Sequence, residues 1–178
     1  MQKQPAAKWI ELSRRRAYQH FVKIDEVTFQ LPDGTEGVYD VRVTRPAVAV
    51  LALTPQNEVI LTRQFRPGPN ELLLELPGGY IDEGEEPTVA ALRELKEETG
   101  YTGDVQLVTQ CFDDSSSTMD RSCTVALNCT KVSEQELDAM EFIDVVLMPL
   151  TEFRQLLRSG KMTDVEVGYL GLDHLGLL

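Results

Sequence analysis

Hydrophobic and polar positions alternate in the first quarter of this chain and give way to continuous apolar runs after it. Alternation on both sides of an Asp33-Gly34 turn predicts an antiparallel β unit across residues 8–45. The unbroken apolar run from Ala47 to Leu53 predicts a strand that is buried on both faces. Further strands are predicted over residues 59–65, 72–76, 105–112, 122–129 and 142–148.

Helical periodicity marks three segments in the second half of the chain. A helix between Pro87 and Gly100 has a proline in its first turn and a glycine placed to end it in the left-handed conformation. A second helix is predicted over residues 151–159, with Thr151 as its N-cap and Gly160 as its stop. A third is predicted over residues 163–177. Strands in the middle and helices after them indicate an α+β sandwich.

Composition and charge narrow the function classes. With 178 residues, 42% of them hydrophobic, the chain suits one globular domain with a sizeable core. The net charge of −12 argues against nucleic acid as a partner, and it repels an anionic substrate unless cations or local arginines intervene. No stretch approaches the roughly 20 apolar residues of a membrane span. Three cysteines without framework spacing favour a reduced, cytoplasmic protein.

The helix that ends at Gly100 carries an acidic face. Glu94, Glu97 and Glu98 are related as i, i+3 and i+4, so their carboxylates repel one another. A divalent cation such as Mg²⁺, which prefers oxygen ligands, would turn that repulsion into a binding site. The alternative is a solvated face in which Arg93 and Glu97 form a surface ion pair.

The spacing around this helix is more specific than the helix itself. It resembles the Nudix hydrolase box, in which a glycine, a glutamate and a conserved run stand at fixed intervals. Every fixed position of that box matches, and Tyr101 stands where an aliphatic residue is commoner. The matching positions are Gly79, then Glu85 after five residues, then after seven more Arg93-Glu94-Leu95, Glu97-Glu98 and Gly100-Tyr101.

Two segments before the box resemble one branch of that family. Residues 63–67 and 74–79 are similar to the ADP-ribose and nucleoside-diphosphate-sugar pyrophosphatases. The resemblance implies a Nudix α/β/α sandwich with a mixed central sheet over residues 46–178. It also implies an N-terminal antiparallel β extension over residues 1–45, which in this branch contributes to a homodimer.

The resemblance implies roles for the acidic residues. Glu94, Glu97 and Glu98, with the backbone carbonyl of Gly78, would hold Mg²⁺ or Mn²⁺, and Glu94 and Glu98 would be catalytic. Metal ions neutralise phosphate oxygens and lower the pKa of bound water. Arg93 would orient the carboxylates. Glu85 would be an auxiliary ligand or a structural acid.

Substrate contacts are predicted from residue chemistry. Guanidinium forks fit phosphate oxygens, so Arg63 and Arg66 are candidates for the diphosphate, with ion pairing to the abundant acids as the alternative. Glu75 lies in an apolar strand and is either a cleft residue or an outward-facing one. The basic run Arg14–Arg16 is either a phosphate or partner contact or a solvated loop end.

Aromatic side chains could stack on the base of a nucleotide. Each such candidate has burial in the core or in a dimer interface as its alternative, and the sequence favours that alternative for each one. The candidates are Trp9, Phe21, Tyr39 and Phe65.

The chain departs from the branch at the expected general base. The loop that carries a catalytic glutamate in relatives aligns Ala139 with the first of two acids and Glu141 with the second. Glu141, Asp138 or Glu136 could take the role, or Glu94 could, as in other Nudix branches. Such a base can reach its position only when substrate binds, so spacing alone leaves these alternatives open.

These residues together predict a pyrophosphohydrolase. Its substrate would be a nucleoside diphosphate linked to another group, such as ADP-ribose or a nucleotide sugar, and its products a nucleoside monophosphate and a sugar phosphate. The polar loop at 113–118 lacks the proline and glycine common in ADP-ribose hydrolases, which weakens ADP-ribose as the specific substrate. The alternatives are a housecleaning hydrolase of nucleoside triphosphates and a non-catalytic nucleotide-binding regulator, although the box here is undamaged.

Overall fold

A computed structural model describes residues 6–178. The first five residues of the predicted N-terminal extension therefore lie outside the described part of the chain. The described chain divides into two compact units, one of residues 6–45 with 112–120 and one of residues 46–111 with 121–178. The loop predicted at 113–118 thus belongs to the first unit, although it follows the acidic helix in sequence.

The first unit contains a three-stranded antiparallel sheet in the order β1-β2-β3. Its strands are β1 (Ile10–Gln19), β2 (Lys23–Gln30) and β3 (Glu36–Val43). Gly34 has a φ of 85°, which fits the predicted turn between β2 and β3. The antiparallel β extension is therefore confirmed.

The basic run lies within β1, so its interpretation as a loop end is wrong. Arg14 and Arg16 both donate hydrogen bonds to Asp25 on β2, and Asp25 is buried. Arg15 donates to Glu26 across a distance of 2.7 Å. Antiparallel pairing places each arginine beside these acids, so all three guanidinium groups are engaged within the sheet.

Two of the aromatic candidates pack on each other. The rings of Trp9 and Tyr39 lie 5.0 Å apart, and each lies 6.0 Å from Phe29. Such contacts account for both rings without a ligand. Phe21 and Phe65 are exposed.

The second unit is built on a mixed sheet whose main order is β10-β5-β4-β9-β8. Strand β4 pairs with β9 in parallel and with β5 and β7 in antiparallel fashion, and β6 pairs with β5. The strands are β4 (Ala47–Leu53), β5 (Glu58–Arg66), β6 (Glu71–Glu75), β7 (Gly78–Tyr80), β8 (Tyr101–Phe112), β9 (Asp120–Lys131) and β10 (Asp144–Pro149).

Three helices complete this unit: α1 (Pro87–Thr99), α2 (Leu150–Ser159) and α3 (Val165–His174). Helix α1 ends as predicted, at Gly100 with a φ of 76°. Thr151 is not the N-cap of α2, because strand β10 runs directly into the helix and Pro149 occupies the cap. Helix α3 is shorter than predicted, because Asp164 before it is left-handed with a φ of 55°. Within residues 6–178, no helix is long and apolar enough to cross a membrane.

Strand β4 explains why the unit is a sandwich. Its side chains alternate between two sheet faces, and every one of them is buried. Val48 and Val50 pack in one cluster with Leu95 of α1. Leu51 packs in the other cluster with Phe153 of α2, and with residues of α3. Helices therefore cover both faces, and the predicted α/β/α sandwich with a mixed central sheet is confirmed.

Leu51→Ala should lower the free energy of unfolding by about 2–5 kcal/mol, because it opens a cavity in the centre of the fold. Leu51 is fully buried, whereas Leu72 is 67% exposed and provides the matched control. Leu72→Ala should change stability by no more than about 0.5 kcal/mol. Urea unfolding of both variants measures the difference, and equal losses would contradict the assigned core.

Candidate functional site

Two glycines bring strand β7 against its neighbours. A Cβ at Gly78 would lie 2.2 Å from the carbonyl oxygen of Val48, so only glycine allows β7 to approach β4 this closely. A Cβ at Gly79 would lie 2.4 Å from Oε1 of Glu94. The missing side chain of Gly79 therefore leaves the space that the Glu94 carboxylate occupies.

Glu98 is the most buried carboxyl of the acidic helix, with 6% of the residue exposed. Its Oε2 accepts a hydrogen bond of 3.0 Å from the backbone N–H of Gly78. The pKa of Glu98 is raised to about 8, chiefly by burial. The charges of Glu94 and Glu141 contribute to the rise, and the Gly78 N–H and the Arg66 charge oppose it. The site thus holds a carboxyl whose negative charge is poorly compensated by the protein.

Arg93 connects the other acids of the box. Its Nη1 donates to Glu94 Oε1 at 2.8 Å and to Glu97 Oε2 at 3.1 Å. Its Nε and Nη2 donate to the two oxygens of Glu85 at 3.0 and 2.9 Å, and Nη2 also reaches the Tyr80 carbonyl. The Arg93–Glu97 ion pair is therefore one contact of a network and not an isolated surface pair. These contacts are those of a residue that orients carboxylates.

Glu85 is held firmly on one side of this network. The hydrogen bonds from Arg93 lower the pKa of Glu85, and the Asp82 backbone N–H donates a further bond of 3.0 Å. Both carboxylate oxygens are thus engaged within the protein. Glu94 differs, because burial raises its pKa despite its contact with Arg93. The contacts suit Glu85 as a structural acid and leave Glu94 the better candidate ligand.

The donor set suits a hard divalent cation. Within residues 6–178, no three acidic, histidine or cysteine side chains stand together at coordinating distances. Arg93 occupies the space among Glu85, Glu94 and Glu97. Glu94 and Glu98, however, are two carboxyls whose pKa values are raised by burial, and carboxylate oxygens are the ligands that Mg²⁺ and Mn²⁺ prefer. Binding there would require the Arg93–Glu94 contact to rearrange.

Glu75 is buried, with 2% exposed, so the outward-facing alternative is wrong. It accepts hydrogen bonds from Arg66 Nε at 2.7 Å and from Gln64 Nε2 at 3.2 Å. The Arg66 charge also reaches Glu98, whose pKa it lowers. Glu75 therefore anchors Arg66 near the acidic helix, and Glu75 itself faces protein rather than open space.

The two candidate phosphate arginines are separated. Arg63 and Arg66 stand three residues apart on β5, so strand alternation directs them to opposite faces of the sheet. Arg63 donates two hydrogen bonds to Asp144, its cross-strand neighbour on β10, at 2.6 and 3.2 Å. Only Arg66 shares a charge interaction with Glu98.

Glu141 lies within electrostatic range of the box. It is exposed on the connection between β9 and β10, and its charge raises the pKa of both Glu94 and Glu98. Its Oε2 accepts a hydrogen bond of 2.9 Å from the Asp138 backbone N–H. Glu136 instead lies 3.7 Å from Lys96, on the far side of the helix from Glu94 by periodicity. Of Glu136 and Glu141, it is therefore Glu141 whose charge acts on Glu94 and Glu98.

Two structural features of the site were not predicted from sequence. Gln135 donates to the Glu98 carbonyl at 2.6 Å and to the Ile143 carbonyl at 3.1 Å, which ties the Glu141 connection to α1. Arg121 pairs with Asp164, whose side chain is 9% exposed and whose charge also acts on Arg66. The Gln135 contacts could not be predicted, because a glutamine in a loop does not contribute to the hydrophobic periodicity. The Arg121–Asp164 contact could not be predicted either, because 43 residues separate the two in sequence.

Comparison with known proteins shows the family to which the chain belongs. The NUDIX domain model matches residues 43–166. The chain is 34% identical over 143 residues to the ADP-ribose pyrophosphatase of Bacillus subtilis, covering 79% of this chain and 77% of that protein. It is 32% identical over 159 residues to the methanol dehydrogenase activator of Bacillus methanolicus, covering 85% of each.

A solved structure shows the same fold. The crystal structure of ADP compounds hydrolase superposes with a TM-score of 0.80 over 99% of this chain and 100% of that chain, at 23% identity. Fold and site thus define an α/β/α domain with a carboxylate-rich helix facing a glycine turn. The chain belongs to the Nudix family, as the box implied, and it is a hydrolase of that family, a Nudix pyrophosphatase.

Glu98→Gln should stabilise the metal-free protein at high pH. Because the folded state holds the Glu98 proton up to about pH 8, whereas a glutamate ordinarily releases it near pH 4.5, the wild type loses stability between these values. The variant escapes this loss, so its stability relative to wild type should rise by roughly a few kcal/mol from about pH 5 to pH 8.5.

Urea unfolding at each pH, in the presence of a chelator, measures that difference. Glu134→Gln is the matched control, because its side chain is 92% exposed and has no burial to relieve. Its effect should stay within about 0.5 kcal/mol. A difference between Glu98→Gln and wild type that does not change with pH would contradict the buried, protonated carboxyl.

Proposed function

We propose that the protein is a divalent-metal-dependent pyrophosphohydrolase that uses Mg²⁺ or Mn²⁺. Its substrate is a nucleoside diphosphate linked to a sugar, either ADP-ribose or a nucleotide sugar. The products are a nucleoside monophosphate and a sugar phosphate. The observation that carries the proposal is the buried Glu98 carboxyl beside Gly78, with Glu94 on one side and Arg66 on the other.

The acidic helix supplies the metal ligands in this proposal. Glu94 and Glu98, with the Gly78 carbonyl and Glu97, hold the cation, which when bound neutralises phosphate oxygens and lowers the pKa of water. Arg93 positions Glu97 through the hydrogen bond already described, and its contact with Glu94 rearranges when the cation binds. Glu141 accepts the proton of the attacking water, because its charge is already felt at Glu94 and Glu98.

Arg66 is the substrate-binding arginine in this proposal. Its Nε and Nη2 are committed to Glu75, while its side chain remains 44% exposed, so the guanidinium is fixed in place and still open to a phosphate oxygen. Arg63 has a lesser role. Its ion pair with Asp144 is solvent-exposed and weak, so the pair would not prevent Arg63 from binding a phosphate. Arg63 has the lesser role because its side chain lies on the sheet face away from Glu98.

A regulatory role is the second candidate. The similarity to a methanol dehydrogenase activator over 85% of this chain favours it, since that relative is named for activation of another enzyme. The hydrogen bonds among Glu85, Arg93 and Glu94 support a regulatory role that accompanies hydrolysis over one that replaces it. The triphosphate alternative has no such support, and two relatives named as ADP-ribose pyrophosphatases disfavour it.

A homodimer built through the first unit accompanies the proposal. All ten residues of β1 are exposed, among them Ile10, Leu12 and Tyr18. In the described residues β1 pairs only with β2, so its other edge is open to a second copy. The free cysteines fit a reducing cytoplasm. A monomer in sedimentation experiments at assay concentration would refute the dimer.

Glu98→Gln should reduce Mg²⁺-dependent hydrolysis by about 100-fold or more while the fold is retained, because it removes a metal ligand. Circular dichroism checks the fold, and turnover of ADP-ribose checks the activity. Glu136→Gln is the control, since Glu136 is exposed and pairs only loosely with Lys96. Wild-type turnover by Glu98→Gln, or full activity in excess chelator, would refute the metal-dependent mechanism.

The products of the same reactions decide the substrate class. ³¹P spectra after incubation with ADP-ribose, nucleotide sugars and nucleoside triphosphates should show two phosphate monoesters from the first two classes. Release of inorganic pyrophosphate from triphosphates alone would establish the housecleaning alternative. No product from any class, with binding retained, would establish the non-catalytic regulator.

Arg66→Ala should raise KM for the nucleotide sugar by about 10- to 100-fold, the cost of about 1.5–3 kcal/mol for a lost hydrogen bond to a charged group. Arg63→Ala is the matched control on the same strand and should change KM by less than about threefold. Steady-state kinetics on both variants measures the contrast. Equal effects on KM would show that the two arginines act together, contrary to their placement on opposite faces.

A further inference from the structure

Two cysteines that play no part in the proposed reaction lie side by side in the second unit. Cys111 is on β8 and Cys123 is on the neighbouring strand β9, and their Sγ atoms are 3.7 Å apart. Cys123 is buried, whereas Cys111 is half-buried. The sequence offered no sign of this pair, because the spacing of the cysteines matches no disulfide framework or metal motif.

Both sulfurs of this pair belong to the same face of the sheet. Cys123 is part of the apolar cluster under α2 and α3, and Cys111 packs against that same cluster. Cys129 belongs instead to the cluster under α1, on the opposite face. The change of face within β9 follows from Asn128, whose φ of 56° interrupts the strand alternation. Cys129 is therefore excluded from the pair by the sheet itself.

We propose that Cys111 and Cys123 form an intrachain disulfide when the protein meets a hydroperoxide. A disulfide bond is about 2.05 Å long, so the two sulfurs must approach by less than one van der Waals radius. Neighbouring strands stand about 4.7–4.9 Å apart, within the range of Cα separations that disulfides accept. The spacing of neighbouring strands is thus compatible with a disulfide between these two cysteines.

The reaction balances with hydrogen peroxide as the oxidant. Cys111, the more accessible of the two, gives up its thiol proton and its sulfur attacks one peroxide oxygen. The O–O bond breaks, the departing hydroxide takes up that proton, and a sulfenic acid and one water form. The Cys123 sulfur then attacks the Cys111 sulfur, and the sulfenic oxygen leaves as a second water with the Cys123 proton. Overall, two thiols lose two hydrogens and two electrons, and one peroxide becomes two waters.

Burial sets the order of these steps. The pKa of Cys123 is raised to about 12, first by burial and then by the neighbouring Cys111, so its thiol stays protonated at neutral pH. The protonated Cys123 thiol therefore does not attack the peroxide. It reacts second, with the oxidised Cys111 sulfur. The pair stays reduced in a reducing compartment and responds only when an oxidant is present.

The bond would tie together the two strands on either side of the 112–120 segment. A cross-link restricts the unfolded chain more than the folded one, so the oxidised protein should be the more stable form. The melting temperature should rise by several degrees on oxidation. This consequence is independent of the proposed hydrolysis.

The test uses the full-length protein, freed of reductant and incubated with hydrogen peroxide. Remaining thiols are then alkylated under denaturing conditions and counted by intact mass. The reduced protein should take three alkyl groups, one per cysteine, and the oxidised protein one. Trypsin cleaves after Arg121, so Cys111 lies on one peptide and Cys123 and Cys129 lie together on the next. A linked pair of these peptides shows a bond from Cys111, and the Cys129→Ser variant assigns that bond to Cys123.

Matched variants assign the bond. Cys129→Ser should still lose two thiols on oxidation and gain thermal stability. Cys111→Ser should keep both of its remaining thiols, Cys123 and Cys129, and gain no stability. Three alkyl groups after oxidation would overturn the proposal. So would the loss of two thiols on oxidation of Cys111→Ser, which would place the bond between Cys123 and Cys129. A disulfide found only between two chains would overturn it as well.

Discussion

The hydrogen bond from the Gly78 backbone to the buried Glu98 carboxyl is the interaction on which the site depends. It joins a short strand to the acidic helix and holds a carboxyl where water cannot solvate its charge. Each neighbouring group responds to that charge. Arg66 is anchored by Glu75 within its range, Arg93 neutralises the other box acids, and Gln135 ties the Glu141 connection to the same turn of helix. These contacts gather several carboxylate oxygens around one buried acid.

The sandwich places that bond by burying β4 completely. Because β4 has no polar face, helices must cover both sides, and α1 is therefore pressed onto the sheet next to β7. Because Gly78 and Gly79 have no side chains, the β7 backbone can approach β4 and the Glu94 carboxylate closely. The apolar packing of β4 thus also determines where the acidic residues lie. A substitution in β4 would therefore shift the position of Glu98.

Local pattern predicted what local forces decide. The proline and glycine that bound α1, the buried β4 run and the acidic spacing all follow from rules that act over a few residues, and each was found where expected. Contacts that depend on the whole sheet were not predicted. Arg63 and Arg66 are equivalent candidates in the sequence, and they differ only because strand alternation places them on opposite faces of the sheet. The Arg121–Asp164 pair forms only when β9 packs beside α3. The positive φ at Asn128 places the Cys129 side chain on the other face of the sheet, and the neighbouring residues give no indication of this change.

The complete burial of β4 also has a consequence for synthesis of the chain. Residues 47–53 are seven apolar residues without a charge, the composition of a segment that self-associates when exposed. Their parallel partner in β9, residues 121–126, follows about seventy residues later in the sequence. A ribosome adding about 5–20 residues per second leaves this strand without its neighbour for several seconds. Until then β5 and β7 are its only partners, so the nascent chain passes through a stage in which aggregation competes with folding.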